Sequence, residues 1–106
     1  MKHRIEVLHV SPRKNLKSIF KRGVDPSYSQ GKQQVSWLCF PGLAEWAVEH
    51  VSRRHHVPEG QVSVLTIRID PERLRKFREG IWTCDTVIGP TAIYGVDHLR
   101  VKEVGR

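Results

Sequence analysis

Three side chains of this 106-residue chain are of types suited to handling a nucleotide. His9 closes an apolar run, Leu8-His9-Val10-Ser11-Pro12, and so stands where a strand end meets a cleft. An imidazole there, with Ser11 beside it, can donate a hydrogen bond to a ribose hydroxyl and lay its ring against a flat ligand. The plainer alternative is a half-buried histidine capping a backbone carbonyl. Trp37 lies in Val35-Ser36-Trp37-Leu38, where strand alternation sets it on the face opposite Ser36 and Leu38. Its indole makes a wall on which a base or a nicotinamide ring can stack. In a domain this small, burial in the core explains Trp37 equally well and is the better reading of Trp46. Asp85 sits inside the strand-like run Ile81 to Ile88, where a carboxylate is expelled unless it faces a polar cleft or a partner. In a site it would orient a sugar hydroxyl and stabilise positive charge on a ribosyl carbon; at an edge it would guard against aggregation.

Other chemistries fit less well. Six histidines and two cysteines raise the question of zinc, but His50 and His55 diverge on a helix and no His-Glu-x-x-His or Cys-x-x-Cys is present. No metal is expected, and Cys39 and Cys84 are expected to pack as small hydrophobes. His9-Val10-Ser11 matches one half of the paired His-x-Ser arrangement of cyclic phosphodiesterases. The second copy is missing, because His98 is followed by Leu99-Arg100.

The elements that must position these residues can be read from spacing. Ile5 to Val10 reads as a strand; Ser11 and Pro12 then suit a helix start, and Leu16, Ile19 and Phe20 share one helical face. Gly23 and Pro26 end that helix. Ser27–Gln34 reads as an exposed loop able to act as a lid, with Lys32 on it. Val35 to Phe40 is a second strand, followed by a helix from Leu43 to about His55. Val62 to Ile69 is a third, long strand. Asp70-Pro71-Glu72 starts a short third helix with Leu74 and Phe77 inward and Gly80 at its close. Strands Ile81 to Ile88, Ile93 to Val96 and Leu99 to Val104 complete the chain. The expectation is a single α+β domain over residues 1–106, with a mixed or antiparallel split sheet and two to three helices.

The formal net charge is +7, which favours polyanionic partners. Lys32, Arg53 and Arg54 are placed to reach a pyrophosphate or a nucleic-acid backbone, or to serve as solvated surface charge. Neither a secretory leader nor a membrane span is expected, and two cysteines do not make a disulfide framework, so the expected setting is cytoplasmic.

The order of these segments resembles the compact ADP-ribosyltransferase fold, the group that includes diphtheria-toxin-like enzymes, RNA 2′-phosphotransferases and DNA-modifying toxins. Leu8-His9-Val10-Ser11 with Asn15-Leu16, Ile19 and Gly23-Val24 resembles the family's first strand, its histidine and the helix that follows. Ser36-Trp37-Leu38-Cys39 with Ala44 and Ala47 resembles the second-strand motif, where tyrosine commonly stands in place of Trp37. Ile81 to Ile88 and the turn through Gly89-Pro90 to Val96 resemble the late strand and its return. The resemblance implies NAD as substrate, His9 on the nicotinamide-side ribose, and Trp37 against nicotinamide. It also implies a late-strand Glu or Gln supporting transfer, for which Asp85 is the nearest residue here. The acceptor would be a nucleic acid or a protein. Two readings of other classes stand beside it: a metal-independent ribonuclease-like toxin, and a non-catalytic nucleic-acid-binding module whose affinity falls with salt.

Overall fold

The computed structural model describes residues 3–28 and 34–97. Six strands form one sheet: β1 (Ile5–Pro12), β2 (Ser36–Cys39), β3 (Val62–Ile69), β4 (Arg75–Arg78), β5 (Ile81–Cys84) and β6 (Ile93–Asp97). Two α-helices, α1 (Leu16–Arg22) and α2 (Ala44–His55), complete the regular structure among the described residues. The sheet order is β4-β5-β2-β1-β3-β6, and every neighbouring pair runs antiparallel. This is an α+β domain, and none of its described helices is long and apolar enough to cross a membrane.

Alternation divides the apolar residues between the two faces of the sheet. Val7, Leu38, Leu65, Ile67 and Ile69 pack on one face with Ile19 of α1 and with Ile88. Leu8, Cys39, Val62, Val64 and Ile81 pack on the other, under Ala47 and Val48 of α2. A sheet covered on both faces buries β3 at neighbouring as well as alternate positions, from Val62 to Leu65 and again at Ile67 and Ile69, with Arg68 alone exposed.

The sheet is joined unevenly. β1 and β3 are paired over eight residues, from Ile5 opposite Ile69 to Pro12 opposite Val62. Between β1 and β2 the register is held by one pair, Leu8 opposite Cys39. β2 is instead paired along its length with β5. The sheet is thus two ladders, β4-β5-β2 and β1-β3-β6, splayed apart beyond a single rung.

Several sequence expectations are corrected. β1 continues through Ser11 and Pro12 because β3 pairs with it to the end, so Ser11 does not cap the helix. A 3₁₀ turn, Arg13–Asn15, intervenes before α1, and Ser11 Oγ accepts a hydrogen bond from Asn15 Nδ2 at 3.1 Å. Phe20, expected inward with Leu16 and Ile19, is exposed. The third helix is absent. Asp70 Oδ1 accepts the Glu72 amide in a 3₁₀ turn, and Arg75–Arg78 then pairs with β5 as an edge strand, leaving Phe77 exposed. The Leu74/Phe77 spacing suits a helix, but a hairpin partner in β5 outweighs that weak local preference. Gly80 turns the hairpin with φ +81° rather than capping a helix. β5 stops at Cys84, short of Ile88. The strand expected at Leu99 to Val104 lies outside the described residues.

Candidate functional site

The splay between β1 and β2 opens a cleft of about 970 Å³, at the upper end of the range typical of ligand pockets. The single Leu8–Cys39 rung lies in its lining, with His9 and Ser11 beyond it on β1 and Ser36 and Trp37 on β2. Helix α1 and the segment after it border one side through Ile19, Val24 and Asp25. Helix α2 borders the other through Trp46, His50 and Arg54.

His9 bridges the splay. Its Nδ1 is 3.0 Å from the Trp37 carbonyl oxygen, so a side chain on β1 satisfies a backbone group that a continuous ladder would have paired. A carbonyl can only accept, which puts the proton on Nδ1. Burial pushes the pKa of His9 below the ordinary imidazole value, while the Trp37 hydrogen bond acts in the opposite direction. The ring is therefore neutral at pH 7, and Nε2 carries a free lone pair. His9 caps a carbonyl and lines the cleft at once, which merges the two alternatives the sequence left open. In this tautomer Nε2 can accept a hydrogen bond from a hydroxyl, and the donating contact expected from the sequence is not available there.

Trp37 lines the cleft and is 42% exposed, so it is not a core tryptophan. Its ring meets Phe77 of β4 edge-on, with centroids 4.8 Å apart. The pairing follows from register, since Trp37 faces Thr83 and Thr83 faces Arg75, placing all three on one face beside Phe77. Trp46, also 47% exposed, stacks on His50 one turn later in α2 at 5.4 Å and 17°.

The remaining expected residues divide. Arg54 lines the cleft, together with Lys14 and Arg78. Arg53 does not; it points along the helix to Glu49 at 2.8 Å. Lys32 lies outside the described residues. Asp85 follows β5, is exposed, and stands 4.0 Å from Arg75 Nε rather than in the lining. Asp25 is the carboxylate among the described lining residues. Its Oδ1 accepts the Ser27 amide at 2.9 Å, and this bond is the first cause of a pKa below the usual carboxylate value. In sequence Asp25 carries no distinguishing pattern, and Phe77 reads as a core residue of a helix. Neither local pattern carries a signal of the cleft, because each residue reaches it through a tertiary contact.

Burial pushes the Cys39 thiol up to about 11, so this cysteine is a packing group and not a nucleophile. No three His, Cys, Asp or Glu side chains among the described residues are gathered as a metal site. No family model and no curated protein matches the chain.

Proposed function

We propose that the cleft binds NAD⁺ and that the protein is an ADP-ribosyltransferase. The observation that carries this reading is the convergence of His9 and Trp37 on one opening between two half-sheets. A neutral imidazole with an acceptor at Nε2 suits a ribose hydroxyl, and an exposed indole lining the same cleft suits the nicotinamide face. Lys14, in the turn that precedes α1, supplies positive charge for a pyrophosphate.

In such a reaction the bond between the ribose C1 and the nicotinamide nitrogen breaks. The electron pair leaves with neutral nicotinamide, and the acceptor nucleophile bonds to C1 and gives up its proton. Positive charge at C1 calls for a nearby carboxylate. The reading assigns that role to Asp25, which lines the cleft, in place of Asp85, whose carboxylate is engaged with Arg75 outside it. Trp37 and the hydrophobic floor at Leu8 and Cys39 exclude water from one side of the sugar.

The test is calorimetric titration with NAD⁺ of the wild type, His9→Asn, Asp25→Asn and Asp85→Asn. Asparagine at position 9 keeps an N–H for the Trp37 carbonyl but lacks an acceptor at the Nε2 position. Binding is expected in the wild type and in both aspartate variants, and is expected to be lost in His9→Asn with little change in melting temperature. With a confirmed acceptor, Asp25→Asn should lower turnover and Asp85→Asn should not. Absence of NAD⁺ binding at millimolar concentration would overturn the reading.

A further inference from the structure

Eight large apolar side chains are exposed among the described residues, and four of them, Tyr28, Trp37, Trp46 and Phe77, lie on this cleft. Chance scatter over a surface does not gather rings in this way, and no core contact requires it. They are interleaved with charge. The Arg78 guanidinium lies 5.3 Å from the centre of the Phe77 ring, Arg54 stands one turn beyond His50 on α2, and Lys14 borders the opening. Against these three cations the described lining holds a single carboxylate, Asp25. On β4, Arg75 stands 4.0 Å from Asp85 and Lys76 is paired with Glu79 at 3.1 Å, so neither is counted in the rim.

We infer that the rim formed by Phe77 and Arg78 on β4 and by Trp46, His50 and Arg54 on α2 is a docking surface for a single-stranded polynucleotide. Flat rings with exposed faces offer stacking to unpaired bases, and interleaved arginines follow the phosphates. A duplex hides its base faces within its own stack and would use only the charges. An acidic protein would likewise use the charges and leave the rings without a matching partner. Trp37, whose backbone carbonyl is bonded to His9, is left to the NAD⁺ reading. The rim and the cleft share one opening, so a strand held on the rim passes the mouth of the site. As a statement of what accepts the ADP-ribosyl group, this rests on that reading; as a statement of binding, it does not.

The experiment is fluorescence anisotropy without NAD⁺, using labelled oligo-dT and oligo-rU of twelve nucleotides and a labelled twelve-base-pair duplex. At least one single strand should bind more tightly than the duplex. Trp46→Ala and Phe77→Ala should each weaken that binding roughly tenfold, as for a lost stacking platform. Both side chains are exposed, so the fold should survive, and far-ultraviolet circular dichroism checks this. Tyr94→Ala removes an equally exposed ring on β6, outside the cleft, and should leave affinity unchanged. Arg54→Ala should reduce the slope of log affinity against log salt by about 0.7. Preference for DNA or for RNA would each support the inference and name the sugar. A duplex preference, indifference to both aromatic substitutions, or full displacement by poly-glutamate of equal charge would overturn it. Binding of NAD⁺ tests the earlier reading separately, since neither Trp46 nor Phe77 is assigned to that ligand.

Discussion

His9 shows how one residue can carry both fold and site. Its Nδ1–H answers a backbone carbonyl left open by the splay, and that bond fixes which nitrogen remains for a ligand. The same arrangement makes the protein sensitive to acid. His9 and His55 both have pKa values below the ordinary imidazole value in the folded state. Burial is the leading cause for each, joined at His55 by Arg54 and Lys14. The unfolded chain thus binds more protons than the folded one as pH falls through about 6.5. Stability should be constant above that pH and decline below it until the folded-state pKa values are passed. Thermal melts between pH 8 and pH 5 measure this, and His9→Asn should flatten part of the decline. A protein that grew more stable on acidification would show that His9 is held as the cation instead.

At the scale of elements, two glycines mark where the chain needs a backbone that other residues resist. Gly23 ends α1 with φ +87°, and its neighbour Val24 exchanges hydrogen bonds with Ile88 at 2.8 and 2.9 Å. A Cβ on Gly23 would fall 2.1 Å from the Ile88 carbonyl oxygen, a backbone atom that cannot move without breaking this bridge. Gly80 turns the β4–β5 hairpin at φ +81°, and a Cβ there would meet the Leu43 side-chain tip at 2.9 Å. Side chains yield more easily than ladders. Gly23→Ala should therefore cost ~3 kcal/mol or more, and Gly80→Ala ~1–2 kcal/mol, as read from urea denaturation. Equal costs would mean that the Val24–Ile88 bridge is dispensable. The bridge also holds the segment bearing Asp25 at the edge of the cleft, which is where the proposed function needs it.

For the whole molecule the governing feature is the uneven sheet. The ladder between β1 and β3 is long and covered on both faces, whereas the junction of the two half-sheets rests on one rung and one histidine. Opening free energies should follow that division. Native-state hydrogen exchange is expected to be slowest for Val64 to Ile67 in β3. It should be faster at Ser36 and Trp37, and a ligand in the cleft should slow those two first. Uniform protection across the six strands would contradict a hinge at the splay. The net charge of +7 acts at this scale too, drawing polyanions to the molecule without choosing among them.

What the sequence determined by itself is what short-range physics controls. Apolar runs placed β1, β2 and β3, the 3.6-residue spacing placed α1 and α2, and their succession made an α+β domain; His9, expected at a strand end, lies inside β1, which pairs with β3 as far as Pro12. Trp37 was legible as a face of β2, and the buried cysteines as packing groups. Long-range pairing decided the rest. Arg75–Arg78 became a strand because β5 offered it a partner, which carried Phe77 to Trp37. Asp85 was left outside the cleft because β5 ended at Cys84, and Asp25 entered it through the Val24–Ile88 bridge. Whether His9 would cap a carbonyl or face a ligand could not be read from its neighbours in sequence. That choice depended on a gap between β1 and β2, and a gap is a property of how two ladders twist apart, not of any one segment.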